Sequence, residues 1–430
     1  MKPKILTVRE FDVIKKEELG ESCFTLFEEF IEDNSGDDTE ERLSDFLRIS
    51  SFKGVKVIKP QNYVGVINID NKFQIEILPK IDINDDNELR NIFLKMLSSL
   101  KEFKGKSFKN AQLNDSNLPI YEIFIKMYLN EVQELLKKGL KSDYVTLEGN
   151  IPYFKGKFLV NQHIKYNSVR KDRFYMAYDE FHNNRPENRL IKSTLLKLNK
   201  ISINGKNQLL AKRLLAEFEM VNHSINFDKD FSLVKEDRNT RSYQNLMYWS
   251  KIFLKNKSFS TFKGTTNVSA MLFPMEKIFE SYISKQLKNI STNYSGYKIE
   301  TQKQTQYLFD EPRKFRLKPD IYISMNSNPY KVLDIKWKRL NPDFKNNYGI
   351  SQSDMYQMYA YAYKYNVEDI VLIYPKREGL EFEKLPVYIQ NSEKNNHLKR
   401  VAVQVFLYDL TKEKSSLDDI KDIIFVKRDN

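Results

Sequence analysis

Apolar and polar positions alternate with a period of two across 318–323 and again across 331–336, so both stretches read as β-strands. In the second, Val332, Asp334 and Lys336 share one face, while Leu333, Ile335 and Trp337 share the other. A carboxylate and an ammonium therefore project side by side from a strand that otherwise reads as buried. The intervening 324–329 is rich in turn formers, which predicts a hairpin that brings Asp320 beside Asp334. Downstream the period becomes helical over 353–364. Met355, Met358, Tyr359 and Ala362 make an apolar stripe there, and Gln357 and Tyr361 sit i,i+4 on a neighbouring face. Such a helix can lay Gln357 over the strand pair.

Earlier in the chain, 4–8 reads as a strand and 24–31 as a helix. The run 33–41 has no apolar residue and reads as an exposed loop leading into a short helix over 42–48. From 54 to 81 the pattern is that of strands, with a turn at Asp70-Asn71 and Phe73, Ile75 and Ile77 alternating with Gln74 and Glu76. Helices are predicted over 87–100, 120–140, 189–202, 208–223 and 240–253, with short strands and turns over 145–163. The polar stretch 258–266 marks a boundary. Beyond it, Pro274 opens a helix to about 290 with a core stripe of Phe279, Ile283, Leu287 and Ile290. Strands near 297–308, 370–374 and 402–407 complete an α-β-β-β-α-β order, and 341–350 reads as a mobile loop. The fold class is α+β, or mixed α/β, in three parts: a β-rich 1–119, a mainly helical 120–264, and 265–430 with a mixed sheet flanked by helices.

Composition narrows the classes. At 430 residues the chain exceeds a single ordinary core. With 30% charged and 41% hydrophobic residues it is neither membrane-spanning nor globally disordered, and no apolar run matches a transmembrane helix or a signal core. A cytoplasmic protein is the expectation. One cysteine, Cys23, and four scattered histidines exclude an intramolecular disulfide and leave no zinc ligand set. The net charge of +12 suits a polyanion partner, though lysine-rich soluble proteins share it. Gly105-Lys106-Ser107 resembles the end of a nucleotide-binding loop, but the glycine required five positions earlier is Leu100. This chain is therefore expected to bind no NTP itself.

Paired carboxylates are hard oxygen donors, and a divalent cation between Asp320 and Asp334 would polarise a phosphodiester and lower the pKa of an attacking water. Lys336 would hold that water and offset charge growing on the phosphate, while Gln357 would orient the water or a scissile-strand phosphate. Asp-x-Lys alone is common, and a lone instance reads as a solvated edge or surface ion pair. The whole order is more specific: Pro-Asp at one strand, Asp-x-Lys in the next, then Gln-x-x-x-Tyr on a helix. Lys165, Arg170, Lys171 and Arg173, with Tyr166 among them, form either a phosphate-contacting surface or a solvated loop.

Pro319-Asp320, Asp334-Ile335-Lys336 and Gln357-Met358-Tyr359-Ala360-Tyr361 resemble the PD-(D/E)xK nuclease motif with its glutamine-bearing helix. More narrowly, the chain resembles the McrC family, nuclease subunits of McrBC-type restriction systems. The supporting stretches are 75–81, 179–181, 187–192 and 273–282. The resemblance implies a Mg²⁺-dependent endonuclease, with Mn²⁺ as a substitute, whose cation is held by Asp320, Asp334 and the backbone carbonyl of Ile335. It implies Glu280 as an additional carboxylate, for a second cation or a water on it; an ordinary surface glutamate is the other reading. It also implies a hexameric McrB-like AAA+ NTPase as partner, engaged by the N-terminal part, and double-stranded DNA carrying a modified base as substrate. Lys338 joins the DNA-contacting set, and Asn188, Arg189 and Lys192 are expected to contact the partner or brace their domain. Cutting both strands calls for dimerisation of the nuclease. A stand-alone recombination or junction nuclease and a non-enzymatic AAA+ activator are the alternatives.

Overall fold

A computed structural model describes residues 3–33, 46–69, 72–100, 103, 118–234, 241–255, 268–376, 386–391 and 400–425. It forms two compact units, one built mainly from Leu118–Phe262, the other mainly from Pro3–Asn117 together with Leu272–Asn430. The β-rich N-terminal part and the C-terminal mixed sheet thus belong to the same unit. The acidic run 34–41, residues 42–45 of the short helix, the Asp70-Asn71 turn, Gly105-Lys106-Ser107 and the 258–266 boundary lie outside the described residues.

The discontinuous unit begins with β1 (Lys4–Arg9), β2 (Ile14–Lys15), α1 (Lys16–Leu19), α2 (Glu21–Asp33), β3 (Leu47–Phe52), β4 (Val55–Pro60), β5 (Tyr63–Ile69), β6 (Phe73–Leu78) and α3 (Asp86–Leu97). Residues 47–48, expected to be helical, instead start β3, because Leu47, buried against the core, pairs with Pro60 in the β2-β4-β3 sheet. In the second sheet β1 runs parallel to β6, which is antiparallel to β5. Val64, Val66, Ile67, Ile75 and Ile77 are all buried, so both faces of this sheet are covered.

The contiguous unit carries α4 (Ile120–Lys137), β7 (Asp143–Ile151), β8 (Lys157–Phe158), α5 (Val160–Asn167), β9 (Phe174–His182), α6 (Pro186–Ile201), α7 (Gly205–Glu217), α8 (Phe227–Leu233) and α9 (Arg241–Lys255). It is mainly helical, as its periodicity predicts, with an antiparallel β7-β9-β8 sheet. Pro186 sits in the first turn of α6, where its missing N–H costs nothing.

After β10 (Val268–Pro274), whose residues Ser269–Met271 are grouped with the other unit, the second part of the discontinuous unit contains α10 (Met275–Ser291), β11 (Tyr297–Thr301), β12 (Gln306–Asp310), β13 (Arg313–Leu317), β14 (Ile321–Met325), β15 (Asn328–Ile335), α11 (Gln352–Tyr365), β16 (Asp369–Pro375), β17 (Val387–Asn391), β18 (Arg400–Tyr408) and α12 (Glu413–Phe425). Six strands form one mixed sheet in the order β11-β14-β15-β16-β18-β17, with β15, β16 and β18 parallel and the other pairs antiparallel. The single strand expected over 297–308 is two: β11 joins this sheet, whereas β12 pairs with β13 in a separate hairpin. Residues 341–350 include a 3-10 turn over Phe344–Gly349, capped by the Asp343 side chain on the Lys345 N–H. Tyr359 is an exposed member of α11, contrary to the expected stripe. Tyr361 and Tyr365 are buried in its place beside Met358 and Ala362. A stripe of Met358, Tyr361, Ala362 and Tyr365 is itself an i, i+3, i+4, i+7 set, and the amphipathic tyrosines left the choice between the two faces open.

Candidate active site

The β14–β15 hairpin closes with Asn326 and Ser327 at φ 51° and 70°. Two consecutive positive φ values make a type I′ turn, whose twist matches that of the strands it joins. A one-residue bulge between the Ser324–Pro329 and Ile323–Lys331 pairs then sets the register that fixes the site. Ile321 pairs with Leu333, so Asp320, one step beyond, stands opposite Asp334. The N–H of Ile335 donates to Asp320 Oδ2 at 2.8 Å, locking that carboxylate against the catalytic-strand candidate.

Asp334 is 1% exposed, and its Oδ2 meets the Lys336 ammonium at 2.9 Å without any other hydrogen-bond donor. Lys336 Nζ also donates to Gln357 Oε1 at 3.3 Å. The remaining face of that amide is spent on a relay: Gln357 Nε2 donates to the Tyr361 hydroxyl at 2.8 Å, which donates to the Lys318 carbonyl at 3.0 Å. The helix is held at this height by its own start, where the Ser351 hydroxyl accepts from the Asp354 N–H. Asp320, Asp334, Lys336 and Gln357, four residues singled out by sequence, are thus brought together.

The electrostatics follow from crowding. Burial, then Asp334 and Glu280, push the Asp320 carboxyl up to about 8. Burial also raises Asp334, against the pull of Lys336. Burial works to lower Lys336, but Asp334 and Asp320 outweigh it and hold the ammonium charged above its ordinary range. Buried carboxylates that oppose each other's ionisation are the condition a divalent cation relieves. The two carboxylates and the Ile335 carbonyl are hard oxygen donors of the kind Mg²⁺ or Mn²⁺ takes, and Asp334 Oδ2 has no partner besides the Lys336 ammonium, so the residues present fit such an ion. Among the described residues no group of three or more His, Cys, Asp or Glu side chains converges on one metal position. Glu280, on α10, is the carboxylate left out: Gln302 Nε2 donates to its Oε1 and, at 3.2 Å, to Asp320 Oδ1. Nothing in the polar run around Gln302 signals this role, which depends on a backbone turn at φ 54°.

The remaining candidates are dispersed. Lys338 is exposed and ion-paired with Asp354 at 2.8 Å. Lys165, Arg170, Lys171 and Arg173 are all exposed in the contiguous unit, with Lys165 over the Tyr166 ring. Asn188 is fully buried and spends its amide on the carbonyls of Lys141 and Asn183 and the Tyr243 hydroxyl. Arg189 forks onto Asp230, and Lys192 caps the Val221 carbonyl. These three brace their own unit. Near the end of β15 a cavity of about 480 Å³ is lined by Glu10, Phe11, Lys80, Trp337, Lys338 and Arg339 among others.

A family model described as McrBC 5-methylcytosine restriction system component matches residues 58–375. No curated protein matches the chain. Among solved structures, the chain is similar to one in a refined half-complex from the tetradecameric assembly of Thermococcus gammatolerans McrB AAA+ hexamers with bound McrC. That match has a TM-score of 0.70 and 19% identity, covering 98% of this chain and 100% of that one. A chain of the Thermococcus gammatolerans McrBC complex matches at a TM-score of 0.52 and 21% identity, covering 66% of this chain and 87% of that one. Among the described residues no helix is long and apolar enough to cross a membrane.

Proposed function

The chain belongs to the McrBC family, and from that premise we propose that it is the McrC-type nuclease subunit of a modification-dependent restriction complex, hydrolysing phosphodiesters in double-stranded DNA with a divalent cation. The observation that carries the reading is the ammonium of Lys336 at 2.9 Å from Asp334, with Asp320 opposite across the hairpin and Gln357 on the same ammonium. The cation, Mg²⁺ or Mn²⁺, would be held by Asp320, Asp334 and the Ile335 carbonyl; when bound it supplies Lewis-acid polarisation of the phosphate and a more acidic water.

The protein's own residues do the rest. Lys336 holds the attacking water and offsets the negative charge that grows on the phosphoryl oxygens as the water oxygen bonds to phosphorus and the P–O bond to the leaving strand breaks. Gln357, fixed through Tyr361 to the Lys318 carbonyl, keeps the lysine aimed at that position. Lys338, beside the site, and separately the basic 165–173 segment of the other unit would each contact DNA phosphates. By analogy with the Thermococcus gammatolerans assemblies, the partner is a hexameric McrB-like AAA+ NTPase, which would recognise and translocate DNA while this chain stimulates it and cuts.

Methylated and unmethylated plasmid is incubated with Mg²⁺ and this chain, its AAA+ partner, or both, with GTP or ATP. Cutting that needs both proteins and a nucleotide, and that Asp334→Ala reduces by about 10³-fold or more while NTPase stimulation persists, is the expected result. Cutting by the chain alone favours a stand-alone nuclease. NTPase stimulation without cutting on either DNA favours a non-enzymatic activator.

A further inference from the structure

Gln302 follows β11 in the left-handed region at φ 54°, and its backbone N–H donates to the Asp320 carbonyl at 3.0 Å. A non-glycine residue held there is a strained position that the surroundings must fix. What it achieves is to turn the side chain back between α10 and the start of β14. A primary amide has two N–H donors, and both are spent on acids: one on Glu280 Oε1, the other on Asp320 Oδ1 at 3.2 Å. Its Oε1 is buried and has no hydrogen-bond partner. Turning the amide over would set its oxygen against the oxygens of both acids whenever these are ionised.

We infer that Gln302 limits the active site to one divalent cation by occupying, with its amide hydrogens, the position between Glu280 and Asp320 that a second cation would need. The inference rests on the metal-nuclease reading and adds to it the number of cations and the residue that sets it. An amide N–H pair and a cation answer the same demand from the same two oxygens, so one excludes the other. Asp320 is shared: its Oδ1 faces Gln302, while its Oδ2, held by the Ile335 N–H at 2.8 Å, faces Asp334. Glu280 is thereby held in reserve. Gln302 is a positioning residue in this scheme, with no contact to the reacting phosphate.

The test is the stoichiometry of Mn²⁺ bound to the full chain without DNA, read by isothermal titration and by the loss of the free-ion electron-resonance signal. One strong site is expected in wild type and two in Gln302→Glu, where a third carboxylate replaces the donor amide. Gln302→Ala, which frees Glu280, is expected to gain a second site that the double variant Gln302→Ala/Glu280→Gln loses. Two strong sites in wild type overturn the inference. So does a single site in a folded Gln302→Ala, or a second site there that survives the loss of Glu280. If Gln302→Glu does not fold, the wild-type count and the alanine pair decide. No strong site in wild type, with Asp334→Asn indistinguishable from it, overturns the metal-nuclease reading itself and the inference with it, whereas one site lost in Asp334→Asn leaves that reading standing.

Discussion

The indole Nε1 of Trp337 lies 3.2 Å from both carboxylate oxygens of Glu10, 327 residues earlier in the chain. Trp337 is the residue after Lys336, and its ring meets Phe279 of α10 edge-on at 5.2 Å. Glu10 Oε2 also accepts the Lys80 N–H at 3.0 Å. The end of the candidate catalytic strand is therefore fastened to β1 and to the segment after β6, through a fully buried acid.

Glu10 makes stability depend on pH. Burial, only partly offset by the Lys80 and Trp337 hydrogen bonds, pushes its carboxyl up to about 8 from 4.5. Between those values the folded state holds a proton that the unfolded state has lost, so this group's contribution falls as pH rises from about 4.5 through about 8 and is flat above. Glu10→Gln removes the effect. Its stability relative to wild type should increase across that window, by an amount on the order of a few kcal/mol, in urea unfolding at a series of pH values. A constant difference would refute the assignment.

The hairpin turn is improvable. Ser327 holds φ 70°, where a Cβ is a steric liability and glycine is not. Ser327→Gly creates Asn-Gly, the favoured type I′ pair, and should stabilise by about 0.5–1 kcal/mol, seen as a rise of about 1–2 °C in Tm, with DNA cleavage unchanged.

Divalent cations should stabilise the chain. A ligand that binds only the folded state adds about 2.7 kcal/mol at a hundredfold excess over Kd. Mn²⁺ is expected to raise the melting temperature of wild type, EDTA to reverse it, and Asp334→Asn to abolish the response. The apo form of that variant should lose little, because the broken Lys336 ion pair is offset by relief of the Asp320–Asp334 repulsion.

If the basic loop of the contiguous unit contacts DNA, the contacts are phosphates. Arg170→Ala/Lys171→Ala should lower the slope of log affinity against log salt by roughly 2 and weaken binding alike on all sequences, measured by fluorescence anisotropy. An unchanged slope would leave these side chains as solvated surface.

The sequence made the hairpin legible because turn formers, alternation and paired acids all pointed to two strands joined by a tight turn. Lys336 under Gln357 followed from periods of 2 and 3.6, whereas Asp320 stands opposite Asp334 only because the register shifts by one residue between Ile323 and Ser324, which no period records. Tyr359 and Tyr361 were harder, since an amphipathic side chain reads equally well on either face and only packing decides which is buried. Gln302 and Glu10 were not legible at all. Their partners, Glu280, Asp320 and Trp337, are set by a positive-φ turn and by the pairing of distant segments, and no local pattern records either. The bracing role of Asn188, Arg189 and Lys192 likewise appears only with the carbonyls and Asp230 that receive their donors.

The discontinuous unit has a consequence for biosynthesis. Its first part, with Glu10 and Asp82, leaves the ribosome long before Trp337 and Arg339, which hydrogen-bond to them. All of the contiguous unit is made in between and can fold on its own schedule, while the early strands wait with Glu10 held by the Lys80 N–H and still without the Trp337 indole. A message cut short within the C-terminal segment would therefore yield no shorter working protein. It would yield an unfinished sheet, exposed to proteases from its first strand onward.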